Sequence, residues 1–119
     1  APAANNLAYH LADRTENYDE ALKYARKAKE QIPDNPGVMD TLGLAYYKKG
    51  LYGNAVGEFL DSLKKIPENP TVHYHLGLAY NKKGELEKAR KSLSKALELS
   101  DDFDGAKKAK TLLSELTKG

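Results

Sequence analysis

From Met39 onward the apolar side chains recur at intervals of three and four. Met39, Leu42, Leu44, Ala45 and Tyr46 form one run, and Ala55, Val56, Phe59, Leu60 and Leu63 form the next. That spacing gathers side chains on one stripe of a 3.6-residue helix, so each run predicts an amphipathic helix. Gly50 and Gly84 stand where the first helix of a pair ends, since glycine accepts the left-handed conformation of a C-terminal turn. The stretches IPDNP, ending at Pro36, and IPENP, ending at Pro70, stop the second helix and open the next pair, because proline disfavours helix in the residue before it. The expected fold class is therefore all-α: antiparallel helix pairs joined by short turns.

The pairs repeat. Leu42, Gly43, Tyr46, Gly50 and Ala55 return 34 residues later as Leu76, Gly77, Tyr80, Gly84 and Ala89, and Pro33 and Pro36 return as Pro67 and Pro70. A fainter copy lies ahead of them. Leu7, Ala8 and Leu11 precede Leu42, Gly43 and Tyr46 by 35, whereas Ala21, Ala25, Ala28 and Pro33 precede Ala55, Phe59, Ser62 and Pro67 by 34. One extra residue in the turn around Thr15 to Tyr18 reconciles the two spacings. The 119 residues then divide into units 1–35, 36–69 and 70–103 and a half unit 104–119, together one domain, whole or cut from a longer repeat protein. Gly43 with Ala55, and Gly77 with Ala89, supply small side chains where the helices of a pair are expected to cross closely.

This tandem signature (L-G-x-x-Y, a glycine turn, a small residue, an aromatic and a terminal proline) resembles the tetratricopeptide repeat (TPR) family from about Ala4 to the end. Ala8 and Leu11 depart from it in the first unit, as does Asp101 in the third, where the proline belongs. The resemblance implies a right-handed α-solenoid of three helix-turn-helix repeats, the first helix of each lining a concave groove that binds a peptide or protein segment. It implies a C-terminal capping helix in which Ala109, Leu112, Leu113 and Leu116 cover the third unit while Lys107, Lys108, Lys110 and Glu115 face water. The groove residues it assigns are Asn5, Tyr9 and Asp13 from the first unit, and Asp40, Leu44, Tyr47 and Lys48 from the second. The third gives Tyr74, Leu78, Asn81 and Lys82, and the capping helix gives Lys108 and Leu112. Leu42, Tyr46, Leu76 and Tyr80 are left to the interior. Tyr9, Tyr47 and Tyr74 would form an aromatic lining with polar tips, a composition favoured in binding hot spots. Relatives that clamp a terminal carboxylate use lysine, arginine and asparagine at set places. Here those places hold Asn5, Tyr9, Thr41, Thr71 and His75, so no strong preference for an acidic C-terminal tail is expected.

Composition narrows the alternatives. Nineteen basic against 17 acidic residues give a net charge of only +2, a weak footing for binding nucleic acid through its phosphates. Lys48-Lys49, Lys64-Lys65 and Lys82-Lys83 fall in the last turn of a helix, where a cation complements the dipole. Without cysteine there is no disulfide, thiolate site or thiol nucleophile. No apolar stretch approaches a membrane span, and the opening APAANNLAYH has no signal-peptide pattern, so no membrane insertion is expected. The compartment stays open between cytoplasm and periplasm, the resemblance being to bacterial and archaeal arrays.

Candidate chemistry does not assemble. His73 and His75 lie about 200° apart on one helix and cannot share a metal, so one is expected to pack and one to face the groove. Gly50, Gly53 and Gly57 follow no strand and make no phosphate loop. Asp101, Asp102 and Asp104 lack the glycine and distal glutamate of a calcium loop and are expected to cap the last helix. The expected function is a non-enzymatic interaction scaffold without cofactor or metal. The competing reading is a spacer or self-associating segment, monomeric or weakly dimeric through Leu7, Tyr9 and Leu11 at the N-terminal edge.

Overall fold

The computed structural model describes residues 17–118, all of whose regular elements are helices: α1 (Tyr18–Gln31), α2 (Pro36–Lys49), α3 (Tyr52–Lys65), α4 (Pro70–Lys83), α5 (Leu86–Leu99) and α6 (Ala106–Lys118). The helix expected to lead the first unit and the expected N-terminal edge lie outside the described residues, as do Thr15 and Glu16 of the turn expected to hold an extra residue. Each helix packs on the next, and α2 also touches α4, the contact pattern of stacked helix pairs.

Local chemistry sets the helix ends. Asn35 and Asn69 precede the prolines that open α2 and α4, and their side-chain oxygens accept hydrogen bonds from the amides of Val38 (3.0 Å) and Val72 (3.1 Å). Proline at the first helical position loses no bond there. The two devices together explain why N-P starts a pair. Replacing Asn69 with alanine is expected to lower stability by about 1 kcal/mol, read from the urea midpoint. At the other end, Gly50 and Gly84 adopt φ of 87° and 85°, as the spacing predicts.

The core is built in successive seams rather than one centre. Leu22 and Ala25 meet Leu42 and Ala45; Ala55, Val56 and Phe59 meet Val72, Leu76 and Ala79; Tyr74, Leu93 and Ala96 meet Ala109. Leu42 and Leu76 are buried as expected, whereas Tyr46 and Tyr80 are half-buried at the rim. At the close crossing within a pair Gly43 lies against the Phe59 ring and Gly77 against Leu93, and Ala55 and Ala89 are fully buried. A methyl group on Gly43 would lie 2.4 Å from the ring, and one on Gly77 2.8 Å from Leu93.

Polar ties join the seams. Ser62 donates to the Pro36 carbonyl at 2.9 Å, so a buried hydroxyl has its partner. Lys29 on α1 reaches Glu58 on α3 at 2.7 Å, and Arg90 on α5 donates to the Leu116 carbonyl at 3.0 Å near the end of α6. The three aspartates do not cap α6 as expected. Asp102 accepts from the Ser100 hydroxyl at 2.7 Å, and the residue preceding α6 is Gly105. The lysine pairs do sit in last turns. On α6, Ala109 is buried, Leu112, Leu113 and Leu116 are half-buried, and Lys107, Lys108, Lys110 and Glu115 are exposed, as expected of a solvating helix.

Gly53 and Gly57 on α3 are exposed with no atom within 4 Å of where a side chain would begin. Gly57→Ala is expected to raise stability by about 0.5–1 kcal/mol, because alanine loses less backbone entropy in a helix. A urea midpoint that stays put or falls would show that the glycine is needed.

Candidate functional site

The first helices α2 and α4 and the final helix α6 carry the described groove candidates. Leu44 and Tyr47 on α2 are half-buried and pack against the Ala55, Phe59, Val72 and Leu76 cluster. Leu78 on α4 and Leu112 on α6 are half-buried against the Tyr74, Leu93 and Ala109 cluster. These four therefore sit where successive helix pairs meet, with part of each side chain accessible. Asn81 is half-buried, and Lys48, Lys82 and Lys108 are exposed. Asn5, Tyr9 and Asp13 lie outside the described residues.

Tyr74 is corrected. It was expected beside Tyr47 in an open aromatic lining, but only 8% of it is exposed. The turn before α6 closes over it: the Phe103 ring centroid is 5.8 Å away, and a methyl group on Gly105 would lie 2.5 Å from its ring. Burial raises the pKa of its hydroxyl above the ordinary tyrosine value, and the charge of Asp104 adds to the effect. Tyr47 is half-buried and has a ring partner the spacing did not indicate, Tyr52 at 5.5 Å between centroids. Its hydroxyl pKa is likewise raised, first by burial and then by Tyr52 and Tyr74.

Asp40 is not a free carboxylate. His75 Nδ1 lies 2.8 Å from Asp40 Oδ1 and 3.1 Å from Oδ2, joining α2 to α4 with side chains 13% and 17% exposed for His75 and Asp40 respectively. A carboxylate there accepts, so Nδ1 carries the hydrogen. The ring also lies 5.7 Å from the centroids of Phe59 and Tyr74. His73 points elsewhere and donates from Nε2 to the Pro67 carbonyl at 2.8 Å. The histidines thus separate, as their spacing requires. The link to Asp40 is not visible from periodicity, because it joins residues 35 apart on neighbouring helices.

The lysines that end α2 and α4 differ in their pairing. Lys49 pairs with Asp19 and Lys83 with Glu85, while Lys48, Lys82 and Lys108 take part in no ion pair among the described residues. No group of three or more metal-ligating side chains occurs among the described residues, and no described helix is long and apolar enough to cross a membrane.

Comparison with known proteins identifies the repeat and the fold. Sequence profiles described as tetratricopeptide repeat match residues 1–35 and 70–103, and one described as TPR repeat matches 43–84. A TPR repeat-containing protein of Pseudomonas aeruginosa is 42% identical over 55 residues, which are 46% of this chain and 9% of that protein. Among solved structures, the type III secretion translocator chaperone SycD of Yersinia enterocolitica superposes with a TM-score of 0.86 at 18% identity, covering 98% of this chain and 83% of that one. In complex with a peptide of the translocator YopD, SycD superposes with a TM-score of 0.81 at 20% identity, covering 98% and 88%. The first TPR of Spaghetti (RPAP3), bound to the HSP90 peptide SRMEEVD, gives 0.83 at 18% identity, covering 99% and 94%. At these identities the likeness is one of fold.

Proposed function

Since the chain belongs to the tetratricopeptide repeat family, we propose that it is a non-enzymatic interaction module that holds a peptide or protein segment on the face formed by α2, α4 and α6. The observation that carries this reading is the partly accessible row Leu44, Tyr47, Leu78 and Leu112 at the seams, flanked by Asn81, Lys48, Lys82 and Lys108. Apolar side chains among a few hydrogen-bonding groups suit a ligand with one or two apolar anchors. The peptide-bound states of SycD and Spaghetti are consistent with it. The places that relatives use to clamp a terminal carboxylate hold Asn5, Tyr9, Thr41, Thr71 and His75 in this sequence, and no such clamp is expected. Amidating the C-terminus of a bound peptide is therefore expected to leave affinity within about twofold, a difference of about 0.4 kcal/mol.

The test starts from short random peptides displayed on phage and selected on the intact chain. The best peptide is labelled, and its affinity for the Tyr47→Ala, Asn81→Ala double variant is measured by fluorescence anisotropy, with thermal melts to check folding. A loss of at least about tenfold, or 1.4 kcal/mol, is expected. Unchanged affinity would place the binding surface elsewhere.

A further inference from the structure

The Asp40 and His75 pair is more than a tie between repeats. Its position and the one ring nitrogen left without a partner single it out. The Nδ1 corner of the imidazole is covered by Asp40, and the ring lies against Phe59 and Tyr74. Only 13% of the side chain remains accessible. Among the described residues Nε2 has no hydrogen-bond partner. A polar atom so nearly buried is costly to leave unpaired.

Taking the groove reading as given, we propose that Asp40 presents His75 Nε2 as the polar anchor of the bound segment, and that this anchor takes a hydrogen-bond donor, lysine or arginine above all, rather than a carboxylate. When the ring carries a single hydrogen, on Nδ1, it offers only a lone pair at Nε2. The Asp40 charge behind the ring favours a cationic donor and repels a carboxylate. Asp104, whose charge acts on the neighbouring Tyr74, has the same sign. The free lysines on these helices counteract little. Lys48 is eight residues beyond Asp40 and Lys82 seven beyond His75, about 10–12 Å along the helix axis at 1.5 Å per residue. The Debye length in physiological salt is shorter, about 8 Å. Lys108, one turn beyond Asp104, forms no ion pair with it. Asp40 is a positioning residue in this arrangement, and His75 makes the contact.

Two readouts on the intact chain test the proposal. The first is imidazole nitrogen NMR at mildly alkaline pH, before and after adding the peptide selected by display on the wild-type chain. Nδ1 is expected to be protonated and Nε2 bare, with the Nε2 resonance moving on binding. The opposite tautomer, or a resonance that stays put, overturns the proposal. The second is affinity. His75→Asn keeps a donor near the Nδ1 position for Asp40 but removes Nε2, so it is expected to melt like wild type and bind at least about tenfold more weakly. Asp40→Asn, which still accepts from Nδ1, should bind more tightly than Asp40→Ala. Peptides selected on the wild-type chain should be enriched in lysine and arginine, and enrichment in aspartate and glutamate overturns the proposal. If Tyr47→Ala, Asn81→Ala loses binding while His75→Asn does not, the groove stands and this anchor falls. If neither variant loses binding, both fall.

Discussion

Replacing Phe59 with alanine is expected to lower the unfolding free energy by about 3–5 kcal/mol. Phe59 is fully buried, and it fills the seam shared by α2, α3 and α4. Its ring is also the surface against which Gly43 lies. Domains of this size have a total stability of about 5–15 kcal/mol, so the variant should approach the threshold of unfolding in urea. The same geometry predicts a dependence between the two positions. Gly43→Ala in the native background pushes a methyl group into the ring and is expected to cost about 1–3 kcal/mol. In a Phe59→Leu background, where the ring is gone, the same change should cost less, because contacting residues do not contribute independently. Equal costs in both backgrounds would mean that the ring is not what excludes a side chain at position 43.

The second large effect is expected at Gly105. Its φ is +100°, a conformation that side-chain-bearing residues rarely adopt, and a methyl group there would strike the Tyr74 ring. The backbone term is about 1–2 kcal/mol and overpacking adds about 1–3 kcal/mol, so Gly105→Ala should lose about 2–5 kcal/mol. Gly50→Ala is the control. Its φ is also positive, but open space surrounds it, so only the backbone term applies. The damage from Gly105→Ala should centre on α6 and its seam with α4 and α5. Hydrogen exchange should accelerate there first, with α2 and α3 remaining protected.

What the sequence revealed depended on how local the cause was. Helix ends were legible because asparagine before proline and glycine after a last turn act within a few residues. The repeat was legible because equal spacing imposes equal packing. Tyr74 was misread because it was treated as the equivalent of Asp40, 34 residues earlier. In the last unit the proline is replaced and the chain turns through Phe103 and Gly105, which cover Tyr74. That the Phe59 ring and Leu93 lie against Gly43 and Gly77 was not legible for a similar reason. Periodicity identifies the face a residue occupies, whereas the rotation of one helix against another decides that the Phe59 ring lies against Gly43. Asp40 and His75 escaped for the same cause, being one residue off the repeat and on different helices. The aspartates after Ser100 looked like caps by composition, yet Asp102 is held by the Ser100 hydroxyl instead.

The face carrying Tyr47 and Asn81 is the proposed binding surface. The most direct test is the affinity of one selected peptide for the wild-type chain and for the Tyr47→Ala, Asn81→Ala variant, measured at equal salt and with both proteins folded. A loss of about tenfold or more is the predicted result. Equal affinities would contradict the claim and move the binding surface away from the first helices.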